Sequence, residues 1–452
     1  MFPPFPQEKA AKVLYSLIQS LASGETALVQ VSRESEERKN QGVMLGALVC
    51  EDENGNEVNL ITNSGIAKKL KTENGKRKTE NSAGFNFQIA GPVVSAQEIE
   101  NALSENDAEI HALTEKIKKE NSRELRELRE KLCSSSLEKV YALYEFHCID
   151  GKLRSLKEIC GMYNKEKLPP TGTGDCCAPK LLDYAFSHKL RPVSLAETKY
   201  KTPSGNNCSF PLVPPCDERC GIILPAMLGL RILWRDDSIC VVNKQSGVLS
   251  VPGRGEDKQD SIESRFRRLF GDKVEIKQPA VHRLDMETSG IMILAFTKEA
   301  HRELNRQFEA KEVQKEYTAL LDGVLPKMGI APHGQMELFF RLDVENRPHQ
   351  IWDRENGKSA VTEWEISGVE RYHAPDGTTR NATRVLFKPH TGRTHQLRLA
   401  AADSHGFNCP IIGDTLYGKC EKGERLMLHA KKISFKHPVT KEQMTIECRE
   451  EF

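Results

Sequence analysis

The chain has 452 residues, 65 basic against 64 acidic, and a formal net charge of +1. That length allows two or three domains with a substantial core. The charge balance excludes nucleic-acid binding through a global basic field, so any such contact must come from a local patch. No apolar run approaches the roughly 18 residues needed to cross a bilayer. The N-terminal MFPPFPQEKAAKVLYSL lacks the basic region and cleavage site of a secretory signal, so a cytoplasmic protein without membrane contacts is expected. Its 13 cysteines then fit free thiols or a metal site better than a disulfide framework.

Residues 1–90 read as a small mixed α/β region. Its clearest piece is GVMLGALVCEDENGNEVNLITNSG, two apolar runs around Glu53-Asn54-Gly55-Asn56, which predicts a hairpin. Residues 91–165 read as helical. Ser95 and Glu98 form a capping box. Ile99, Leu103, Ile110, Leu113, Ile117, Leu125, Leu128 and Leu132 then follow at helical spacing with one slip. One long charged helix is expected, folding as a helical hairpin or coiled coil onto a second helix around Leu137, Val140 and Leu143. Residues 166–228 read as a Cys-rich linker carrying Cys176, Cys177, Cys208, Cys216 and Cys220. The bland reading is reduced thiols in a loop-rich connector. The competing one is a structural zinc site, with the C-x-x-x-C pair Cys216/Cys220 completed by Cys176 or His188. Gly172-Thr173-Gly174 is no phosphate loop, because no Gly-Lys-Ser/Thr follows.

From residue 229 to 452 short strands and helices alternate without regular strand–helix–strand crossovers, which predicts an α+β domain on a large mixed sheet. Strands are expected in RILWRDDSICVVNK, GIMILAFT, KEYTALLDG, ATRVLFKP and RLMLHAKKISFKHPVT, and helices in SIESRFRRLFG and KEAHRELNRQFEA. Two segments combine charge with turn residues. In His282-Arg283-Leu284-Asp285 the aspartate sits just before an apolar strand, where a loop holds its carboxylate at the sheet edge. In His390-Thr391-Gly392-Arg393-Thr394-His395-Gln396-Leu397-Arg398 a Gly-containing turn enters a helix and would present Arg393 and main-chain N–H groups to an anion. Taken alone, such an Arg and Asp would more often form a surface or structural ion pair.

The segment HRLDMETSG closely resembles the signature of RluA-type RNA pseudouridine synthases. So, in order, do VVNKQSGVLSVPG, KEYTALLDG, GRTHQLRLAAADSHGFNCPIIGDTLYG and RLMLHAKKISFKHPVT. The resemblance covers roughly residues 230 to 450. It implies a long mixed, mostly antiparallel sheet with flanking helices around a cleft, and uridine-to-pseudouridine isomerisation in structured RNA. It also implies roles. Asp285 would be the catalytic carboxylate, Arg393 the basic residue paired with it, Tyr317 the ring against the flipped base, and Arg283 the side chain filling the gap left in the RNA. Gln245 departs from the family's usual proline, and the frequent N-terminal S4 module is replaced by a different half.

The chemistry fits these roles. Uracil leaves as a stabilised anion and is recaptured through C5, so one ionised carboxylate suffices where glycosidases need two. That carboxylate either attacks C1′ or takes the C2′ proton. Lys244, Arg254, Lys315, His395 and Arg398 are further RNA-contact candidates, and Arg265, Arg267 and Arg268 a candidate basic patch. His282, His390 and His395 are expected to support through hydrogen bonds. Neither metal nor cofactor is expected in catalysis. The expected partner is large-subunit ribosomal RNA or tRNA, with association to a ribosome precursor as a further option. The competing readings are an RNA-binding or chaperone protein on a catalytically idle synthase fold and a zinc-dependent module in residues 170 to 220.

Overall fold

The computed structural model describes residues 5–30, 43–65, 68–72, 87–120, 122–163, 169–200, 210–216, 218–255, 258–450 and 452. The chain divides into two compact units, Met1–Gly229 and Leu230–Phe452. Among the described residues, no helix is long and apolar enough to cross a membrane.

The first unit opens with α1 (Glu8–Ser23) and β1 (Thr26–Gln30), followed by β2 (Val43–Glu51) and β3 (Glu57–Asn63). The expected hairpin joins β2 and β3, pairing Leu48 with Leu60. Asp52 shapes its turn by accepting the N–H groups of Asn54 (2.9 Å) and Asn56 (2.8 Å), with Gly55 at φ +81°. β4 (Lys68–Thr72) pairs with β1, and β5 (Phe87–Ile89) lies beside β3.

Two helices follow, α2 (Ala96–Glu120) and α3 (Arg123–Ala142). The Ser95–Glu98 capping box forms, the Ser95 N–H donating to the Glu98 carboxylate at 2.9 Å. The expected single helix through Leu132 is corrected: the chain reverses between Glu120 and Arg123, so Leu125, Leu128 and Leu132 belong to the returning helix. Asn106 donates to Ser136 at 3.0 Å, and Lys139 pairs with Glu105, which fixes α2 and α3 as an antiparallel hairpin. Its charged sequence hides the reversal because only Ile99 and Leu113 on α2, and Ser136, Val140 and Tyr141 on α3, are buried.

The short strands β6 (Glu145–His147) and β7 (Leu153–Ser155) precede α4 (Leu156–Tyr163), α5 (Cys177–Ser187), β8 (Arg191–Tyr200), β9 (Leu212–Val213) and α6 (Cys220–Leu228). Residues 166–228 are therefore no linker. β8 pairs along β2 inside a five-stranded sheet of order β5-β3-β2-β8-β9. One face of β2, carrying Leu45, Ala47 and Val49, packs with Val13, Leu14 and Leu17 of α1. The other meets α5 at Gly46, where an added Cβ would stand 2.5 Å from Cys177 Cβ. Burial on both faces explains why β2 reads as a continuous apolar run.

The second unit holds β10 (Arg231–Arg235), β11 (Ile239–Lys244), α7 (Ile262–Phe270), β12 (Ser289–Ala295), α8 (Lys298–Glu309), β13 (Gln314–Leu321), β14 (His333–Leu342), β15 (Gln350–Trp352), β16 (Lys358–His373), β17 (Thr379–Pro389), α9 (Gln396–Ala402), β18 (Leu428–Lys436) and β19 (Gln443–Glu447). Ten strands form one sheet of order β10-β11-β12-β18-β13-β17-β16-β14-β15, with β19 on β18. Among the described strand pairings of this sheet, only β12–β18 is parallel. This is the α+β mixed sheet that the patterning predicts, with the mostly antiparallel pairing and flanking helices that the resemblance implies.

The β12–β18 contact sets the site. Gly290 and Tyr317 lie opposite the same residue, Ala430, on either side of β18. Gly290 has φ +117°, and a Cβ there would stand 2.4 Å from the Ala430 carbonyl oxygen, so only glycine lets β12 approach this closely. The loop entering β12 is thereby held two strands from Tyr317.

Candidate active site

Asp285 lies in the loop before β12, half-buried, its main-chain carbonyl accepting from the Thr288 N–H at 3.1 Å. The segment after β11 anchors this loop. Lys244, fully buried, donates from Nζ to the carbonyls of Gln245 (3.0 Å), Val248 (2.7 Å) and Met286 (2.8 Å). The Ser246 hydroxyl donates to the Glu287 carbonyl (2.6 Å), and Ser250 both donates to the Leu284 carbonyl and accepts its N–H. The Gln245 position leaves these bonds in place.

The Asp285 carboxylate makes no hydrogen bond or ion pair among the described residues, yet its charge is felt by five neighbours: Lys244, Tyr317, His395, Arg398 and Tyr417. Burial pushes Lys244 down to about 7, and Asp285 opposes that shift. Burial raises the Tyr317 phenol, and Asp285 raises it further, so it stays protonated. The Tyr317 ring packs at the edge of the core formed by β13, β17 and α9.

Arg398 is the buried guanidinium of the site, 2% exposed. It donates from Nε to Asp414 at 2.8 Å, makes a second bond to the same carboxylate, and pairs with Glu287 at 2.9 Å. Burial works against its charge, and Asp414, followed by Glu287 and Asp285, more than offsets it. Asp414 also accepts the N–H groups of Leu416 (2.9 Å) and Tyr417 (3.0 Å), and the Tyr417 hydroxyl bonds His395 Nδ1 at 2.7 Å. Burial chiefly keeps His395 neutral. These contacts link the Asp285 loop, α9 and the turn after it.

Arg393 is not the partner of Asp285. It is exposed, and its Nε donates to the Ser359 carbonyl at 2.9 Å on β16. Its main-chain N–H is taken by Gln396 Oε1 (3.0 Å), so the turn does not offer that donor to an anion. The spacing misleads because His395 adopts φ +55°, and the turn sends Arg393 outward while α9 carries Arg398 inward.

The RNA-contact candidates divide likewise. Lys244, His395 and Arg398 are buried and engaged, so each is corrected to a support of the Asp285 loop or its surroundings. Arg283 and Arg254 are exposed, and Lys315 is half-buried, its ammonium 4.0 Å from where a Cβ on Gly392 would stand. Of the basic patch, Arg265 binds Asp260 and Arg267 caps the carbonyls of Ile276 and Lys277, which leaves Arg268 exposed. His390 pairs with Glu363 at 2.7 Å.

The RNA pseudouridylate synthase family model matches residues 238–403. The dual-specificity RNA pseudouridine synthases RluA of Haemophilus influenzae and of Escherichia coli (strain K12) are each 42% identical over 227 residues, covering 49% of this chain and 94% of theirs. The chain belongs to the RluA-type RNA pseudouridine synthase family. Among solved structures, human RNA pseudouridylate synthase domain containing 1 aligns at 27% identity and a TM-score of 0.39, over 49% of this chain and 83% of that one. Within this synthase, Glu287, Asp414 and Tyr417 escaped residue-by-residue reading although they stand inside the quoted segments HRLDMETSG and GDTLYG. An Asp beside Gly reads first as a turn former.

His282 is expected to make the synthase domain sensitive to acid. Its Nε2 accepts the Ile293 N–H at 3.1 Å and its ring lies 4.9 Å from Phe308. Burial, with help from Lys315, lowers it from the ordinary 6.5 to about 3. The unfolded chain therefore binds the proton first, and stability is expected to fall as pH drops from 6.5 toward 3, by about 1.4 kcal/mol per unit. Urea midpoints between pH 7.5 and 5 check this. A His282→Gln variant should flatten the slope, and an unchanged slope would remove His282 from the account.

Proposed function

We propose that this synthase isomerises a uridine of large-subunit ribosomal RNA in the cytoplasm, with Asp285 as the reacting carboxylate. The observation that carries the reading is Asp285 itself. It is half-buried, its carboxylate makes no hydrogen bond or ion pair among the described residues, and its loop is held by the Lys244 and Ser250 anchors two strands from Tyr317. Attack at C1′ and removal of the C2′ proton both require this ionised group. The guanidinium of Arg398 lies within electrostatic reach of it. Tyr317, protonated, offers an apolar face to uracil and a hydroxyl near the reacting ring. Transfer RNA is the second substrate reading, because the RluA relatives are named dual-specificity enzymes.

Reaching a stacked uridine costs a few kcal/mol of unstacking. Arg283, exposed two residues before Asp285, can offset it by placing its planar guanidinium in the vacated space. Arg393, Arg254 and Lys315 are phosphate contacts in this reading. The expected split is testable by filter binding and single-turnover kinetics. Arg393→Ala or Lys315→Ala lowers the slope of log affinity against log salt by about 1 with turnover near wild type. Arg283→Ala slows turnover roughly tenfold or more. A collapse of turnover in Arg393→Ala would restore the Asp285–Arg393 pairing.

The deciding experiment incubates the purified protein with unmodified transcripts of large-subunit ribosomal RNA and of tRNA, then maps pseudouridine chemically. Conversion of a discrete uridine is expected. RNA binding without any conversion would leave an RNA-binding or chaperone protein as the better account.

A further inference from the structure

Three thiols of the first unit converge on one point. Cys176 immediately precedes α5, Cys220 is the first residue of α6, and Cys216 stands four positions before it. Their sulfur atoms all lie within 4.8 Å of one another, and each is a free cysteine. The fold brings them together across separate elements: β8 and β9 intervene between α5 and the Cys216 segment.

We propose that Cys176, Cys216 and Cys220 bind one zinc ion, which ties the start of α5 to the start of α6, with a water oxygen as fourth ligand on the Cys216 side. A tetrahedral site with Zn–S bonds of about 2.3 Å sets its sulfurs roughly 3.8 Å apart, a spacing the cluster accommodates. A disulfide would join only two of the three and leave the third without a role.

The main chain around Cys216 is arranged to hold a metal ligand. The main-chain N–H groups of Arg219 and Cys220 hydrogen-bond Cys216, the kind of donor that a charged sulfur accepts and that orients a metal ligand. The Gly221 N–H also donates to the Cys216 carbonyl at 3.0 Å, closing the loop that presents Cys216 and Cys220 on one side. Three thiolates and a divalent ion carry one net negative charge. The ammonium of Lys180, 2% exposed and bonded to the carbonyls of Asn63 (3.1 Å) and Gly65 (2.7 Å), lies within electrostatic reach of Cys176. That cation opposes the charge of the cluster, whereas the buried Glu197 carboxyl, which also acts on Cys176 and Cys220, adds to it where ionised.

His188 is not a ligand. It stacks on Tyr184 with ring centroids 4.0 Å apart, and its Nδ1 faces the Tyr184 carbonyl at 2.8 Å. Cys177 points elsewhere as well, its sulfur bonding the Met44 carbonyl. Cys208 lies outside the described residues.

The test measures metal by mass spectrometry on the full chain, purified under reducing conditions without chelator and again after reconstitution with zinc chloride. About one zinc per chain is expected, falling below about 0.2 in Cys216→Ser, the variant at the surface-exposed position and the least disruptive to the fold. Cobalt(II) in place of zinc should give thiolate-to-metal charge-transfer absorption that Cys216→Ser abolishes. Chelation should lower the thermal midpoint of the wild type and leave that of Cys216→Ser unmoved. Less than about 0.2 zinc per wild-type chain after reconstitution, with the thiols reduced, overturns the proposal. So does one equivalent of copper or iron in its place.

Discussion

Asp285→Asn is expected to abolish pseudouridine formation while RNA affinity stays within about threefold of wild type. Asn is nearly isosteric, so the loop keeps its shape: the bonds that Lys244, Ser246 and Ser250 send to this loop all end on main-chain groups of residues 284–287. What disappears is the ionised oxygen, which an amide replaces neither as nucleophile nor as base. The loss should reach roughly 10⁴-fold, the scale of removing a group on which the chemical step depends. Affinity is spared because the RNA contacts proposed are Arg283, Arg254, Arg393 and Lys315, none of which bonds to Asp285. Lys244 and Arg398 lose some electrostatic support, so a small drop in thermal midpoint is expected without unfolding. Tritium release from 5-tritiated uridine in the RNA measures the activity, and filter binding the affinity. Activity within tenfold of wild type would remove Asp285 from the chemistry.

Legibility differs sharply between the two units. In the second, local patterning is consistent with the fold. The strand RILWR, the buried strand SGIMILA and the helix KEAHRELNRQFE each announce their period, and the segments quoted for the family fall around one site. The position of Asp285 at a sheet edge is readable because it stands just before an apolar strand, whereas Tyr317, inside β13, is singled out by the resemblance alone. Which arginine of that turn faces inward is not readable, since a five-residue difference along one segment becomes an inside–outside difference only through the positive φ of His395. Lys244 misleads for a related reason: a lysine after an apolar strand reads as surface, and its burial depends on three carbonyls that only the folded loop supplies. In the first unit, β8 (RPVSLAETKY) mixes polar residues into a strand whose pairing partner lies about 150 residues earlier, so no local signal separates it from a connector.

Arg398 should be indispensable to fold and chemistry together, and the two can be separated. Arg398→Met strips the guanidinium from Asp414, which is fully buried, and from Glu287. Breaking one side of a buried pair leaves an uncompensated charge, so a loss of about 3–5 kcal/mol is expected. Arg398→Lys should recover part of this, but an ammonium cannot span both Asp414 oxygens in the bidentate manner of the guanidinium. The informative variant is the double replacement Arg398→Met with Asp414→Asn. It removes both charges of the Arg398–Asp414 pair, leaves Glu287 part-exposed with the Thr415 hydroxyl as its donor, and gives an amide oxygen that can still accept an N–H from Leu416 or Tyr417, so stability should return to within about 1–2 kcal/mol of wild type. Activity should not return with it, because the guanidinium within electrostatic reach of Asp285 is gone. Urea midpoints and single-turnover rates on the four proteins of this cycle make the comparison. If activity recovers along with stability, Arg398 is a structural residue only, and the charge that supports Asp285 must come from Lys244.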